Sequence, residues 1–317
     1  VAGGDSSENP VSLGSAATIL EHMDKDRYEP YIVEIEGKNW QVHIKDGVTV
    51  PVDRNDFSFL MGSTKKVFDY AYITIHGTPG ENGVFEGYLR LMRIPFSTCD
   101  VLASALTFNK FVLNKTMKSC KVNVANSRRL RKGDPVDPDK IIRKVGLPCF
   151  IKPTDGGSSF GTTKVKTREQ IIPAVEEAFK ENSEIMIESF MQGIEVTNGY
   201  YKTRKREVRL PVTEVVPKSD FFDYDAKYNG NVEEITPARI PDELRDHIQD
   251  LTAKIYDLIG CHGIIRNDYI ITDGDRINLL EVNTTPGMTA TSFIPQQIKA
   301  AGMNLTDVFT EIIEDSF

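Results

Sequence analysis

Along the first hundred residues, strand-like and helical hydrophobic patterns take turns. Tyr31 to Ile35, Trp40 to Ile44 and Tyr70 to Ile75 read as strands, whereas Val11 to Met23 and Val84 to Met92 place apolar residues at helical spacing. That order predicts an α/β unit. A long helical pattern then runs from Cys99 through Ser119, followed by a strand at Lys121 to Ala125, a helix near Asp137 to Val145 and a strand at Cys149 to Lys152. After Gly156 to Gly161 come the strand Thr163 to Lys166, the helix Arg168 to Lys180 and the strand Glu184 to Glu188.

Two longer strand-like runs, Glu195 to Lys202 and Val208 to Val216, lead into an irregular segment, 217–237. A structureless loop of that length in a compact domain is more often functional than idle. Pro241 and Gly260 bracket a helix with Leu244, Ile248, Leu251, Ile255 and Leu258 along one face. A hairpin and two short helices complete the chain. The basic run Arg128 to Lys132 reads as a solvated loop.

A length of 317 residues predicts two or three domains. With 40% hydrophobic and 26% charged residues, disordered, collagen-like and coiled-coil classes drop out. The net charge of -8 argues against a non-specific nucleic-acid surface. Cys99, Cys120, Cys149 and Cys261 lie far apart in sequence with no CxxC pair, which disfavours a disulfide scaffold and a zinc site and makes the cytosol the expected compartment. No apolar run approaches the roughly 20 residues of a membrane span, and no charged-then-apolar leader opens the chain. Val1-Ala2-Gly3-Gly4 reads like the last residues of a strand.

Chemistry concentrates in the hairpin. Ile264 to Ile271 and Arg276 to Asn283 flank Thr272-Asp273-Gly274-Asp275, and a two-residue turn at Gly274-Asp275 pairs Asp268 with Glu281 and Arg266 with Asn283. Strand parity then projects all four from one face, together with Ile264, Ile270, Ile277 and Leu279, leaving Tyr269, Ile271, Leu280 and Val282 as the core face. Two facing carboxylates repel by about 1 kcal/mol in water and about 4 kcal/mol at an effective dielectric near 20. A cation reverses that sign, and two carboxylates with an amide suit Mg2+. The alternative is the wet face of a one-sided sheet, against which the apolar residues on the same face count.

Cys149-Phe150-Ile151-Lys152-Pro153 followed by Thr154 to Gly161 is a strand, a lysine and a Gly/Ser-rich turn that can wrap phosphate oxygens. It matches neither GxxxxGK[ST] nor GxGxxG. Gly3 to Glu8 and His76 to Gly83 each sit between a strand and a helix, where open α/β sheets gather ligands. Glycine-rich turns of this kind also occur without ligands, and an isolated histidine is commonly structural.

Taken together, these motifs resemble the D-alanine:D-alanine ligases of the ATP-grasp superfamily. The resemblance covers Gly3 to Glu8, Val11-Ser12-Leu13, His76 to Gly83, Lys152 to Gly161, Asp223 to Tyr228, Arg266-Asn267-Asp268 and Glu281 to Thr289. It implies an α/β fold, α+β in the ATP-binding part, with three domains: an N-terminal substrate domain at 1–97, a central domain at 98–190, and a C-terminal domain at 191–317 that carries the metal site and a mobile loop at 217–237. By resemblance, Lys110 and Lys152 contact nucleotide phosphates, Glu188 and Glu195 the adenosine portion, and Lys227 the γ-phosphate. Asp268, Glu281 and Asn283 hold two Mg2+ ions, with Mn2+ as a substitute. Glu8 orients the first amine, Ser158 and Tyr228 link it to the loop, and His76 and Ser292 belong to substrate binding, Ser292 at the second carboxylate. Arg266 and the Gly287 N–H stabilise the tetrahedral intermediate.

The implied reaction joins two D-alanine molecules through a D-alanyl phosphate, at the expense of ATP, for peptidoglycan precursors. The implied protein is a cytoplasmic homodimer with no nucleic-acid or membrane partner. Asn9-Pro10 and Asn267 depart from the family pattern; parity turns Asn267 to the other face. Tyr228 is the residue type associated with dipeptide rather than depsipeptide formation. Competing readings are another ATP-grasp carboxylate ligase or one accepting D-lactate, an inactive nucleotide-binding regulator, and a hinged small-molecule binding protein.

Overall fold

The computed structural model describes residues 1–156, 161–217 and 232–317. Its strands form three sheets, each within one stretch of sequence. The first contains β1 (Ala2–Gly3), β2 (Ile32–Glu36), β3 (Asn39–His43), β4 (Thr49–Asp53), β5 (Ser58–Met61) and β6 (Thr64–Val67) in sequence order, parallel only between β1 and β2. Strands β4 to β6 were not expected; they are short, half-exposed hairpins. The segment expected as strand Tyr70 to Ile75 is largely buried but, among the described residues, makes one isolated bridge, Ala71 to Phe96. Helices α1 (Asn9–His22) and α2 (Val84–Met92) follow the two glycine-rich junctions. Phe57, Phe59, Phe85, Ile35, Ile75 and Leu89 form the core of this part.

The Cys99 to Ser119 pattern is two helices, α3 (Val101–Phe108) and α4 (Lys110–Ser119), broken at Asn109, whose side chain caps α4 through the Val112 N–H. Lys121 to Ala125 is no strand and makes only a Val124 to Leu279 bridge. The second sheet has the order β7 (Ser127–Arg131), β10 (Glu184–Ser189), β8 (Cys149–Pro153) and β9 (Thr163–Val165), covered by α5 (Pro138–Val145) and α6 (Ile171–Glu181). The basic run is therefore mainly an edge strand rather than a loop: Arg129 and Arg131 both face Glu184, at 3.5 and 3.0 Å.

The third sheet has the order β13 (Val232–Ile235), β12 (Glu207–Pro217), β11 (Ile194–Lys202), β14 (Ile265–Thr272) and β15 (Arg276–Asn283). β13 gives the end of the supposedly irregular 217–237 segment a strand. One face of this sheet packs on α3, α4 and α7 (Asp242–Ile259), through Leu113, Met117, Ile248, Ile255, Tyr269 and Leu279. α7 ends on Gly260 at φ 70°, as its sequence predicts, although Leu258 is exposed rather than packed. Part of the other face is closed by α8 (Phe293–Ala300) and α9 (Leu305–Glu314) through Tyr201, Leu210, Ile294, Ile298 and Phe309. The remainder of that face carries the charged residues.

Candidate active site

Burial alternates strictly along β14, with Ile265, Asn267, Tyr269 and Ile271 inside. Arg266 lies opposite Asn283 and Asp268 opposite Glu281, as strand parity predicts. The turn differs from expectation. Thr272 pairs with Arg276, leaving a three-residue loop, Asp273-Gly274-Asp275, with φ of 54° at Asp273 and 91° at Gly274. A bulge between the Asp268 and Tyr269 pairs leaves Leu280 as the extra residue. The one-residue change at the turn and the one-residue bulge cancel at the site. Between them, however, β15 is turned over: Leu279 and Ile277 pack in the core with Tyr269 and Ile271, and Leu280 leaves the core face to which it had been assigned.

Asp268 is surrounded by donors. Its Oδ1 accepts from Thr197 Oγ1 at 2.6 Å and Arg266 Nε at 2.9 Å; its Oδ2 accepts from Arg266 Nη2 at 2.8 Å and Asn283 Nδ2 at 3.1 Å. Burial works against the Arg266 charge, but the carboxylates of Asp268, Glu281 and Glu81 outweigh it and hold the guanidinium well above its ordinary value. Glu281 lies 4.0 Å from Arg266, and the Phe293 ring stacks 5.3 Å from the guanidinium carbon. On the reverse face Asn267 is fully buried and donates to Tyr269 Oη at 3.0 Å, so this departure from the family pattern points away from the site.

The two N-terminal junctions reach the same place. Ser6 Oγ donates to His76 O at 2.8 Å, and Asp5 N to Thr78 O at 2.9 Å, which locks one junction to the other. Gly77 takes φ of 71° and would bring a Cβ to 3.1 Å from Ser6. Glu8 stands at the start of α1, and His76 is buried. Glu81, not singled out from the sequence, accepts from the Gly77 N–H at 2.9 Å. Burial, then the charges of Glu8 and Glu281, push it up to about 7, against the Gly77 bond and Lys110. Its signal was a second carboxylate in the junction equivalent to the one bearing Glu8. Thr285 Oγ1 donates to Gly80 O at 3.3 Å, and the Met288 N–H to Ser15 Oγ at 3.0 Å, so the chain after β15 is tied to the second junction and to α1.

Two lysines approach from the second sheet and from the helix α4. Lys152 on β8 pairs with Glu188 on β10 at 2.5 Å, both largely buried. Lys110, at the start of α4, bonds to the Gly156 carbonyl. Burial and the Lys152 cation lower its pKa, with Glu281, Glu81 and Asp155 opposing. Glu195 lies on β11 on the same face as Thr197, opposite Ile270. Gly287 adjoins Ser292, where an added Cβ would lie 2.8 Å from Oγ, and Ser292 Oγ bonds to Thr289 Oγ1 at 2.7 Å. Glu8, Lys110, Lys152, Arg266, Asp268, Glu281 and Asn283 thus converge from separate parts of the chain, while Ser158, Lys227 and Tyr228 lie outside the described residues.

Among the described residues no three His, Cys, Asp or Glu side chains form a metal cluster. The candidate cation donors are two carboxylates and one amide, an oxygen set that fits Mg2+. Because Asp268 already accepts four hydrogen bonds, rotation of the Asn283 amide would exchange a donor for the oxygen a cation needs.

The family described as D-ala D-ala ligase N-terminus matches residues 1–99, and that described as D-ala D-ala ligase C-terminus matches 116–314. The chain is 61% identical over 317 residues to a D-alanine–D-alanine ligase of Bacteroides fragilis, covering 100% of this chain and 98% of that one. A Parabacteroides distasonis protein of the same name is 53% identical over 316 residues, covering 99% and 96%. Among solved structures, the VanG D-Ala:D-Ser ligase of Enterococcus faecalis superposes with a TM-score of 0.89 at 29% identity, covering 100% and 98%. D-alanyl-alanine synthetase A of Vibrio cholerae gives 0.88 at 27%, covering 99% and 96%. The three-sheet architecture is the ATP-grasp fold of these neighbours. The chain belongs to the D-alanine–D-alanine ligase family.

Proposed function

We propose that this protein ligates two D-alanine molecules to D-alanyl-D-alanine at the expense of ATP, in the cytoplasm and as a homodimer, for peptidoglycan precursors. The observation that carries the reading is the opposition of Arg266, Asp268, Glu281 and Asn283 on one sheet face, within electrostatic reach of Glu81 and Lys110. A carboxylate oxygen of the first D-alanine attacks the γ-phosphorus and ADP departs, leaving an acyl phosphate. The amine of the second D-alanine then attacks the acyl carbon, loses a proton, and phosphate leaves.

Lys110 and Lys152 supply positive charge for the phosphates, and nucleotide entry exchanges the Lys152 to Glu188 pair for contacts to ATP, Glu188 and Glu195 turning to the adenosine side. Arg266 and the Gly287 N–H face the oxygen on which charge develops. Glu8 binds the first ammonium beside His76, and Ser292 the second carboxylate. Lys227, Ser158 and Tyr228 belong to the same reading through the loop 217–237. Asp268, Glu281 and Asn283 would hold Mg2+, two ions by resemblance, which when bound neutralises phosphate charge. The division into domains at 1–97, 98–190 and 191–317 is part of this proposal; α3 and α4 share a core with the third sheet, so their assignment to the central domain follows chain order rather than packing.

The test is phosphate release and product mass with Mg-ATP and D-alanine, repeated with D-serine and D-lactate as second substrates. Dipeptide with D-alanine is expected. No ATP turnover with D-alanine overturns the proposal; preferred use of D-serine, as named for the E. faecalis neighbour, reassigns the second substrate.

A further inference from the structure

Two sulfur atoms outside the proposed site meet where the segment before α3 crosses the turn after α7. The backbones there run against each other so closely that a Cβ on Gly263 would lie 1.8 Å from the Ser97 carbonyl oxygen, and Gly263 takes φ of 66°. Cys99 Sγ donates to His262 O at 3.3 Å and accepts from His262 N at 3.3 Å, one residue from Cys261. The Cys261 thiol interacts with the Cys99 sulfur, and that contact together with burial holds its proton well above the ordinary thiol range. Cys99 is fully buried, Cys261 partly exposed, and both are free.

We propose that Cys99 and Cys261 are a reversible oxidation site that closes an intramolecular disulfide in the presence of a peroxide. The contact brings together residues 162 positions apart in sequence, with Cys99 Sγ bonded to both backbone polar atoms of the residue that follows Cys261. Cys261 is the exposed member and reacts first. Its thiolate attacks one peroxide oxygen, the O–O bond breaks, and a sulfenic acid and hydroxide (or alkoxide) result. Cys99, losing its proton, attacks the sulfenic sulfur; the S–S bond forms, the S–O bond breaks, and hydroxide leaves with that proton as water. Two thiols have given two electrons to the peroxide, and a dithiol reductant returns them. Because Cys261 keeps its proton at neutral pH, the reaction accelerates as pH is raised. Thr98 Oγ1 donates to Thr284 O at 2.8 Å, so the bond would fasten a segment already attached to the chain beside Glu281.

The experiment treats the full chain with hydrogen peroxide at neutral and alkaline pH, followed by alkylation, non-reducing digestion and mass spectrometry. One linked peptide pair containing Cys99 and Cys261 is expected, forming several-fold faster at alkaline pH, lost on dithiothreitol treatment, with Cys120 and Cys149 still alkylated after unfolding. In Cys99→Ser, Cys261 should instead accumulate as a dimedone-trapped sulfenic acid; should that variant not fold, Cys261→Ser must abolish the linked pair and leave Cys99 alkylatable. Oxidation of Cys261 to sulfinic acid without a link in the unsubstituted chain, or linkage to another cysteine, overturns the proposal. Neither outcome depends on the ligase reading.

Discussion

The hairpin β14–β15 and the junction before α2 both bring carboxylates into the interior, and they handle the charge in opposite ways. Asp268 is met by four donors from Thr197, Arg266 and Asn283. Glu81 has one backbone donor, Gly77, and lies near two other carboxylates. Five residues further on, Glu86 is fully buried, and among the described residues neither of its oxygens meets a donor in bonding geometry; the nearby Ser104 hydroxyl donates instead to Cys99 O at 3.1 Å. Burial, with the Glu81 charge, pushes Glu86 up to about 8, its own N–H, Ser104 and Gly83 exerting the weaker opposing pull. A carboxylate encircled by donors holds a fixed arrangement of charge, whereas one buried without them keeps its proton.

Removing the encircling charge should have the largest effect. Arg266→Ala deprives Asp268 of two hydrogen bonds and the reaction of its cation, and phosphate release with D-alanine should fall about a hundred- to a thousand-fold. A loss below ten-fold would mean that Arg266 serves packing alone. Thr197→Val removes one short bond to a charged group, worth about 1.5–3 kcal/mol, and kcat/KM should drop roughly ten-fold or more with the fold intact by circular dichroism.

The donor-poor Glu86 is tested through stability. A folded-state pKa near 8, above the ordinary 4.5, favours the fold below pH 4.5, and that contribution is lost as pH rises through 8. Glu86→Gln should therefore raise the unfolding free energy at pH 8 by about 4 kcal/mol, with the gain shrinking toward pH 4.5 in urea titrations. A gain independent of pH would show that Glu86 is not a buried acid. The smallest effect is expected from Gly287→Ala, whose Cβ meets a movable Ser292 hydroxyl: a few-fold rise in KM for D-alanine, measured by initial rates, with little change in unfolding temperature.

The charged face of the hairpin was legible because strand parity needs only the order of residues, and Arg266, Asp268, Glu281 and Asn283 emerged together. Its turn was not. Gly274-Asp275 offered a two-residue solution, and only packing of Leu279 beside Tyr269 selects the three-residue loop with a compensating bulge at Leu280. Strands β4 to β6 escaped because each spans only four or five residues, too short for a period to stand out. Arg128 to Lys132 looked like a solvated loop, since the Glu184 that pairs with Arg129 and Arg131 lies more than fifty positions away. Glu81 lay inside a recognised motif, but its neighbours Glu8, Glu281 and Lys110 come from three other parts of the chain. Cys99 and Cys261 likewise are joined only by tertiary contact.

On the proposed reading, the face carrying Asp268 and Glu281 performs the reaction with Mg2+ bound. The most direct test measures phosphate release from ATP and D-alanine by the unsubstituted protein and by Glu281→Ala across a Mg2+ titration, with unfolding temperature recorded for both. Turnover that needs Mg2+ and is lost in Glu281→Ala at every Mg2+ concentration, at similar unfolding temperature, is the predicted result; undiminished turnover by Glu281→Ala would contradict it.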